Sequence, residues 1–198
     1  MKTNYLNITK TSKYFLSAIF CLTLLASCSD DDDNDPPNDE EVITNVTLAF
    51  INVADATDTI TLLSVDLDGE DGPMPPAQTV TGDFTAGATY TATIELFNAI
   101  EGEDITEEVR DDEPDEHFFV YAINGLDMEF SRSAGDVVRT DGNSLGYATT
   151  WIANTTGTGT ITVQLYHESE SVDDSNGFGT QVGGSTDVNI TFLDVDIQ

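Results

Sequence analysis

The sequence predicts an all-β protein, an immunoglobulin-like antiparallel β-sandwich of about eight strands with one short helix. Apolar and polar residues alternate along most of residues 41–198, which is the period of half-buried strands. The alternating segments are rich in Thr, Val, Ile and aromatic residues and are bounded by Gly, Asn, Asp and Pro. These roughly 158 residues suffice for one domain with a sizeable core, and two such sheets bury their apolar faces on each other. A closed barrel is the alternative.

The first 27 residues carry the pattern of a secretory signal peptide. Lys2, Lys10 and Lys13 precede an apolar run over 14–26 that is too short to span a bilayer as a helix. We therefore expect residues 1–27 to be removed on export.

The apolar run closes with the tetrapeptide LASC, which ends at Cys28 and resembles the lipobox of bacterial lipoproteins. The resemblance implies that Cys28 is lipidated, becomes the first residue of the mature chain and anchors it to a membrane that it does not cross. An ordinary signal peptide with an incidental cysteine is the alternative. The other cysteine, Cys21, lies in the segment that is removed, so the mature chain has no thiol for a disulfide or a thiolate metal site.

Residues 28–40 are predicted to be a disordered acidic linker that begins with the lipidated cysteine. Consecutive aspartates repel one another, and Pro36 and Pro37 stiffen the chain. The segment from Ser29 to Asp33 also resembles the acidic export signal of surface lipoproteins in the Bacteroidota. That resemblance implies an outer-membrane lipoprotein exposed at the cell surface, with a periplasm-facing anchor as the alternative.

The charge of the chain excludes two classes of partner. All 37 acidic residues lie after Cys28, where the only basic residues are Arg110, Arg132 and Arg139, so the mature chain has a formal charge of −34. Such a surface repels nucleic acid and anionic lipid head groups, and it attracts cations. Solubility in a salty or marine environment accounts for most of this charge.

Eight segments predict strands. In the first of them, Val46, Leu48 and Phe50 alternate with polar or small neighbours. The segments are 43–53, 59–68, 88–99, 117–125, 126–133, 145–154, 158–167 and 186–197. Trp151, in the sixth segment, is expected in the core.

One stretch, residues 102–117, breaks the alternation and predicts a helix of about two turns. Asp104 and Glu107 have the spacing of a capping box, and a later proline forbids continuation of the helix. Ile105 and Val109 lie at i,i+4, so they are expected to plug one end of the sandwich.

The two histidines predict a metal site. His117 opens one strand and His167 closes another, and both stand beside acidic residues. If these strands run antiparallel, the imidazoles lie at the same end of the sandwich, and imidazole with carboxylates is a ligand set for zinc or another divalent first-row metal. The predicted ligands are His117 and His167, completed by Glu116, Glu168, Asp112 or Glu108. The alternative is that both histidines are ordinary strand-end residues hydrogen-bonded to neighbouring acids.

Calcium is a second metal that the sequence suggests. Asp66, Asp68 and Asp71 surround a glycine turn, and oxygen-rich loops suit a hard cation. The stretch does not fit the register of an EF-hand loop, and Asp and Gly also occur in hairpin loops for turn geometry. Calcium therefore ranks below zinc.

Catalysis is not predicted. The mature chain has no cysteine nucleophile, and the sequence contains no glycine-rich phosphate loop after a strand. Carboxylate pairs are abundant, but so many acids place a pair at glycosidase spacing by chance. The chain is therefore predicted not to be an enzyme.

Over most of its mature body the chain resembles short flavobacterial lipoproteins. The shared pattern includes an ITEE…EH segment, an LYHE strand end and a GG-TD turn, here at 105–117, 165–168 and 183–187. The resemblance implies the surface location and the His/Glu cluster, but no activity. Some members carry the label type 1 periplasmic binding fold superfamily protein, whose α/β fold the alternation contradicts. Separately, Thr59 lies in an Asp-Thr-Ile tripeptide that matches the short O-glycosylation pattern of that phylum.

Two functions of different classes remain. In the first, a cell-surface lipoprotein binds a metal ion or small solute and passes it to an outer-membrane transporter, which predicts that the two histidines converge with several carboxylates. In the second, the domain is a non-catalytic spacer or protein-interaction module with an acidic solubilising surface. That function predicts scattered histidines and no concave site.

Overall fold

Twelve strands and one helical turn form the described part of the chain, residues 41–67 and 74–198 of a computed structural model. The strands are β1 (Asn45–Asn52), β2 (Thr59–Val65), β3 (Ala77–Thr81), β4 (Thr89–Asn98), β5 (Glu103–Asp104), β6 (His117–Asn124), β7 (Asp127–Arg132), β8 (Ala148–Thr155), β9 (Gly157–His167), β10 (Ser171–Asp173), β11 (Thr180–Val182) and β12 (Ser185–Ile197). The helical turn, between β5 and β6, is Glu108–Asp112. The predicted signal peptide over 1–27, the linker over 28–40 with Cys28, and the aspartates Asp68 and Asp71 lie outside the described residues.

The larger sheet has seven strands, in the order β3-β2-β1-β4-β8-β7, with the short β5 paired to β4. All of its neighbouring strands are antiparallel. Strands β1, β2 and β3 follow one another, and β4 returns to pair with β1, which is a Greek key. The register places Leu48 of β1 between Leu62 of β2 and Ile94 of β4, and all three side chains are fully buried.

The smaller sheet has the order β12-β9-β6 and is also antiparallel. Along β9, Ile161, Val163 and Leu165 are fully buried and alternate with more exposed residues. Trp151 of the larger sheet contacts Tyr121 of the smaller one edge-on, with ring centroids 5.9 Å apart. Apolar residues of the two sheets thus share one core, and the architecture is a sandwich-like all-β fold.

The structure confirms the predicted fold class, and a strand is found in each of the eight predicted segments. Trp151 is fully buried, as expected. The four strands that were not predicted are β3, β5, β10 and β11. They have two to five residues each and are largely exposed, so they are too short to show an alternation of apolar and polar residues.

A short helix is found where one was predicted. Residues 106–112 are helical over about two turns, and the last five, Glu108–Asp112, have π geometry, in which the N–H of Glu113 donates to the carbonyl of Glu108 at 2.8 Å. The predicted capping box is wrong, because Asp104 belongs to β5 and its Oδ1 accepts from the N–H of Thr106 at 3.0 Å. The acid that was expected to cap a helix instead caps the bend between a short strand and the turn.

Two apolar side chains, Ile105 before the helical turn and Val109 within it, belong to the core, as expected. Ile105 and Val109 are buried, and the N–H of Val109 donates to the carbonyl of Ile105 at 3.1 Å. Within the residues that the structure describes, no helix is long and apolar enough to cross a membrane.

Candidate metal centre

The pairing of β6 with β9 brings the two histidines together. β6 begins at His117 and β9 ends at His167, and the antiparallel register places these residues opposite each other. Both residues are buried, and their rings stack with centroids 4.8 Å apart and planes 7° apart. The two imidazoles therefore lie at the same end of the smaller sheet, as the strand ends predict.

Two carboxylates that the sequence did not single out, Glu41 and Asp187, lie beside this pair. Asp187 belongs to β12, whose pairing with β9 contains an irregularity between Thr186 and Val188. Regular alternation would place Asp187 on the face opposite to buried Val188. The β-bulge at this point instead turns the Asp187 side chain inward, where 0% of it is exposed. Glu41 precedes β1, and 5% of its side chain is exposed.

These four residues, Glu41, His117, His167 and Asp187, are called the inner group. One ligand atom from each lies within 4.8 Å of the other three. Glu41 Oε2 lies 3.2 Å and Asp187 Oδ2 lies 3.9 Å from His117 Nε2. Tetrahedral zinc with bonds of about 2.0–2.1 Å separates its ligand atoms by roughly 3.3 Å. Small side-chain movements therefore suffice to close two nitrogens and two oxygens around one ion.

The His117 ring presents a lone pair to the inner group. Its Nδ1 lies 3.1 Å from the carbonyl oxygen of Glu113, and since a carbonyl only accepts, Nδ1 carries the hydrogen. Metal-binding histidines are oriented in this way. His117 Nε2 and Glu41 Oε2 face each other, and neither makes a hydrogen bond of acceptable geometry within the described residues. Two buried polar atoms in this state need a proton or a cation between them.

His117 and Glu41 change each other's protonation. Burial lowers the pKa of His117, but the Glu41 carboxylate, the Glu113 carbonyl and the charge of Asp187 together outweigh it, so the pKa lies above its ordinary value. Burial raises the pKa of Glu41, but His117, a backbone hydrogen bond and the charge of His167 together outweigh it, so that pKa lies below its ordinary value. Each of the two residues thus favours the charged form of the other.

The metal-free protein is expected to lose stability as the pH rises through the raised pKa of His117. The folded state holds this proton more tightly than the unfolded chain, whose histidine pKa is about 6.5, so the stabilisation is complete below that pH and vanishes above the folded pKa. Glu41 acts in the opposite sense, because its lowered pKa gives a stabilisation that is lost as the pH falls through the folded value. Urea unfolding with EDTA at a series of pH values should show a maximum between the two. Glu41→Gln should flatten the alkaline side, and an unchanged alkaline side would contradict the pairing.

Two further groups adjoin the inner group, and each shares one residue with it. The outer group, Glu116, His167 and Glu168, shares His167. Glu116 Oε2 lies 3.5 Å from His167 Nε2, and 42% of the Glu116 side chain is exposed. The acidic group, Glu41, Glu108 and Glu113, shares Glu41 and contains no histidine.

The predicted ligands Glu108 and Asp112 belong to neither the inner group nor the outer group. Glu108 belongs to the acidic group, where its burial and the charges of Glu113 and Glu41 raise its pKa. Asp112 belongs to none of the three groups. In the expected α-helix Asp112 would share a face with Glu108, but in the π turn the i→i+5 hydrogen bond brings Glu113 to that position. Asp112 is thus not among the residues whose ligand atoms lie within 4.8 Å of one another.

Arg139 holds the backbone at the start of β6 in place. Its Nη1 donates to the carbonyl of Pro114 at 3.0 Å and also to the carbonyl of His117. Its guanidinium lies 5.9 Å from the centroid of the Phe118 ring. Arg139 is buried, so this cation fixes the main chain on both sides of Glu116 and thereby orients His117.

The remaining predicted site residues that the structure describes, Asp66 and Thr59, belong to none of the three groups. Asp66, the only described member of the proposed calcium set, donates its main-chain N–H to the carbonyl of Thr44 at 2.7 Å. Thr59 is exposed at the start of β2, where a sugar would meet no obstacle from burial. The preceding Asp58 accepts through Oδ2 from the Tyr90 hydroxyl at 2.8 Å, so the same tripeptide also has a structural role.

Sequence signals for the two missed ligands were weak. Glu41 stands before the first strand, where no periodicity exists, and Asp187 sits in an alternating strand whose bulge the sequence does not reveal.

Comparisons with protein-family models, with curated proteins and with solved structures find no match for the chain. The inner group is therefore the observation from which a function can be inferred.

Proposed function

We propose that this chain is a lipid-anchored surface protein of the outer membrane whose β-sandwich binds one divalent first-row metal ion, zinc or a similar ion. The observation that carries the proposal is the convergence of two imidazoles and two carboxylates, all with 5% or less of the side chain exposed, from separate parts of the chain. The lipidated Cys28 and the surface location rest on the sequence signals alone.

Burial separates the inner group from the acidic surface. Exposed carboxylates are solvated and need no ion, and this chain has many of them. The inner group holds two buried carboxylates beside two buried imidazoles, which is costly unless a cation compensates the charge. The large negative charge raises the local concentration of cations around such a site.

The donor set favours zinc over calcium. Calcium takes six to eight oxygen ligands, whereas the inner group contributes two nitrogens and two oxygens. Four protein ligands also satisfy tetrahedral zinc without leaving a position for a reacting water, which supports binding rather than metal-assisted catalysis. An outer-membrane transporter that receives the ion is the partner we propose.

Isothermal titration of residues 29–198 with zinc tests the proposal. After EDTA treatment and removal of the chelator, we expect saturable binding of one ion per chain that persists at high salt, because buried ligands are little screened. The His117→Gln/His167→Gln variant should abolish it, and Glu41→Gln should lower the affinity by roughly 10–100-fold or more.

Asp112→Asn is the matched control for these variants. It removes one carboxylate from the same region, and it should leave the affinity unchanged because Asp112 belongs to none of the three groups. Weak binding without a fixed stoichiometry that salt erases would overturn the proposal. That outcome would favour the alternative function, an immunoglobulin-like spacer or interaction module with an acidic surface.

A further inference from the structure

The inner group is closed to solvent. Of the side chains of Glu41, His117 and Asp187, 5%, 0% and 0% are exposed. A hydrated metal ion that enters must exchange its water for protein ligands, and losing that water before any ligand replaces it has a high free-energy cost. Rapid uptake therefore requires ligands that meet the ion at the surface.

The outer group supplies such ligands. Glu116 is about two-fifths exposed, and Glu168 is exposed, so both carboxylates can contact a hydrated ion. The third member, His167, is buried and belongs to the inner group as well. One imidazole is thus common to a site at the surface and a site in the interior.

We propose that the outer group is a capture site, which takes a divalent metal ion from solvent and passes it to the inner group across His167. This inference rests on the proposed function of the inner group. As the ion moves inward, it exchanges the carboxylates of Glu116 and Glu168 for those of Glu41 and Asp187 while the His167 imidazole stays close. The ion is never without a protein ligand, which lowers the barrier to entry.

The backbone at Glu168 explains how its carboxylate reaches His167. In a regular strand, Glu168 would face away from the buried side of β9. Glu168 instead has a φ of 51°, in the left-handed region that is unfavourable for a residue other than glycine. Its N–H donates to the carbonyl of Glu116 at 2.7 Å, which extends the pairing of the two strands by one step. This geometry keeps ligand atoms of the whole outer group within 4.8 Å of one another.

The acidic group on the other side of the inner group is the competing route. It shares Glu41, but it offers only carboxylates, and its other members, Glu108 and Glu113, are half-buried. An imidazole binds first-row metals more selectively than a carboxylate does. The outer group is therefore the better capture site for the ion that the inner group retains.

A capture site changes rates and leaves the final affinity unaltered. Because it lies on the path in both directions, removing it should slow association and dissociation by the same factor. Loss of an inner ligand would instead raise the dissociation constant. These two outcomes separate a residue on the path from a residue that holds the bound ion.

Stopped-flow measurement of zinc uptake, and of zinc release to a chromogenic chelator, tests this inference. We expect Glu116→Gln/Glu168→Gln to slow both steps by roughly tenfold or more, with one zinc per chain and an unchanged dissociation constant. Glu101→Gln/Glu103→Gln is the control, because it removes two exposed carboxylates outside all three groups. It should reduce the association rate only slightly, through the loss of long-range attraction.

Three results would overturn the capture site. The first is unchanged rates of zinc uptake and release in Glu116→Gln/Glu168→Gln. The second is an equal slowing in the control, Glu101→Gln/Glu103→Gln. The third is slowing in Glu108→Gln/Glu113→Gln instead, which would place the path through the acidic group. If calorimetry shows that the wild-type protein binds zinc, but Glu116→Gln/Glu168→Gln takes up zinc as fast as the wild type, only the capture site is refuted. If the wild type binds no zinc, the proposed function fails with it.

Discussion

Arg132→Met is expected to lower the free energy of unfolding by about 3–5 kcal/mol. The guanidinium donates to the main-chain carbonyls of Phe119, Ser144, Gly177 and Phe178, at 2.6, 2.9, 3.0 and 3.4 Å. It also lies 4.5 Å from the centroid of the Phe118 ring. Methionine fills similar volume but donates nothing, so the carbonyls of β6 and of two loops lose their shared donor.

Two glycines show how tightly the guanidinium is enclosed. Gly146 and Gly179 both have positive φ, and a Cβ at either position would collide with an Arg132 nitrogen. The chain therefore approaches this cation from two sides at positions where only glycine fits. Such close enclosure makes the carbonyls that lose their donor in Arg132→Met costly to leave unpaired.

Thermal and urea unfolding measure this effect. In a domain of this size, a loss of about 3–5 kcal/mol lowers the melting temperature by roughly 6–20 °C. Arg110→Met is the matched control, because Arg110 pairs with Asp111 at the surface and lies 5.3 Å from the centroid of the Tyr147 ring. We expect the control to change the melting temperature little, since exposed ion pairs contribute little. Equal destabilisation by both variants would contradict the structural role of Arg132.

The arginines show that the partners of a charged side chain cannot be inferred from the charges in the sequence. Three arginines among 37 acids suggest counter-charges for carboxylates. Arg132 and Arg139 instead donate mainly to main-chain carbonyls, at Phe119 and at His117, both near the start of β6. These two cations therefore help to hold the strand that carries the first histidine, a role that depends on loop positions that no local pattern reveals.

The long strands could be predicted because their environment repeats every two residues. In β4, every second residue from Tyr90 to Asn98 is buried, so the sequence shows the face that packs on the core. The short strands β10 and β11 have three residues each and pair only with each other. Their existence depends on the loops around them, and alternation over three residues carries no information.

Some residues of the candidate site could likewise be predicted from the sequence, and others could not. His117 and His167 could be brought together from sequence, because strand ends and antiparallel pairing place them side by side. Asp187 could not, because a bulge reverses the face on which it lies. Asp112 belongs to none of the three groups, and the π turn, which shifts the positions that share a face, brings Glu113 rather than Asp112 beside Glu108. Local irregularities of the backbone, which alternation and helical periodicity do not encode, thus decided which acids reach the histidines.

Zinc is expected to raise the free energy of unfolding by about 2.7 kcal/mol when its free concentration is 100 times the dissociation constant. For a domain of this size, that corresponds to a rise in melting temperature of roughly 5–11 °C. The reason is that the inner ligands come from the segment before β1 and from β6, β9 and β12, which come together only in the folded chain. Glu41→Gln should reduce the rise at the same zinc concentration.

Calcium and high salt distinguish this effect from diffuse binding to the acidic surface. The unfolded chain carries the same carboxylates as the folded one, so ions that merely screen them act with little selectivity for zinc over calcium, and salt weakens their effect. A buried site of two nitrogens and two oxygens should respond to zinc, hardly respond to calcium, and keep its response at high salt. Equal shifts with both ions, or a zinc shift that salt removes, would contradict a site at the inner group. A shift specific to zinc that His117→Gln/His167→Gln abolishes requires an ion bound between the paired ends of β6 and β9.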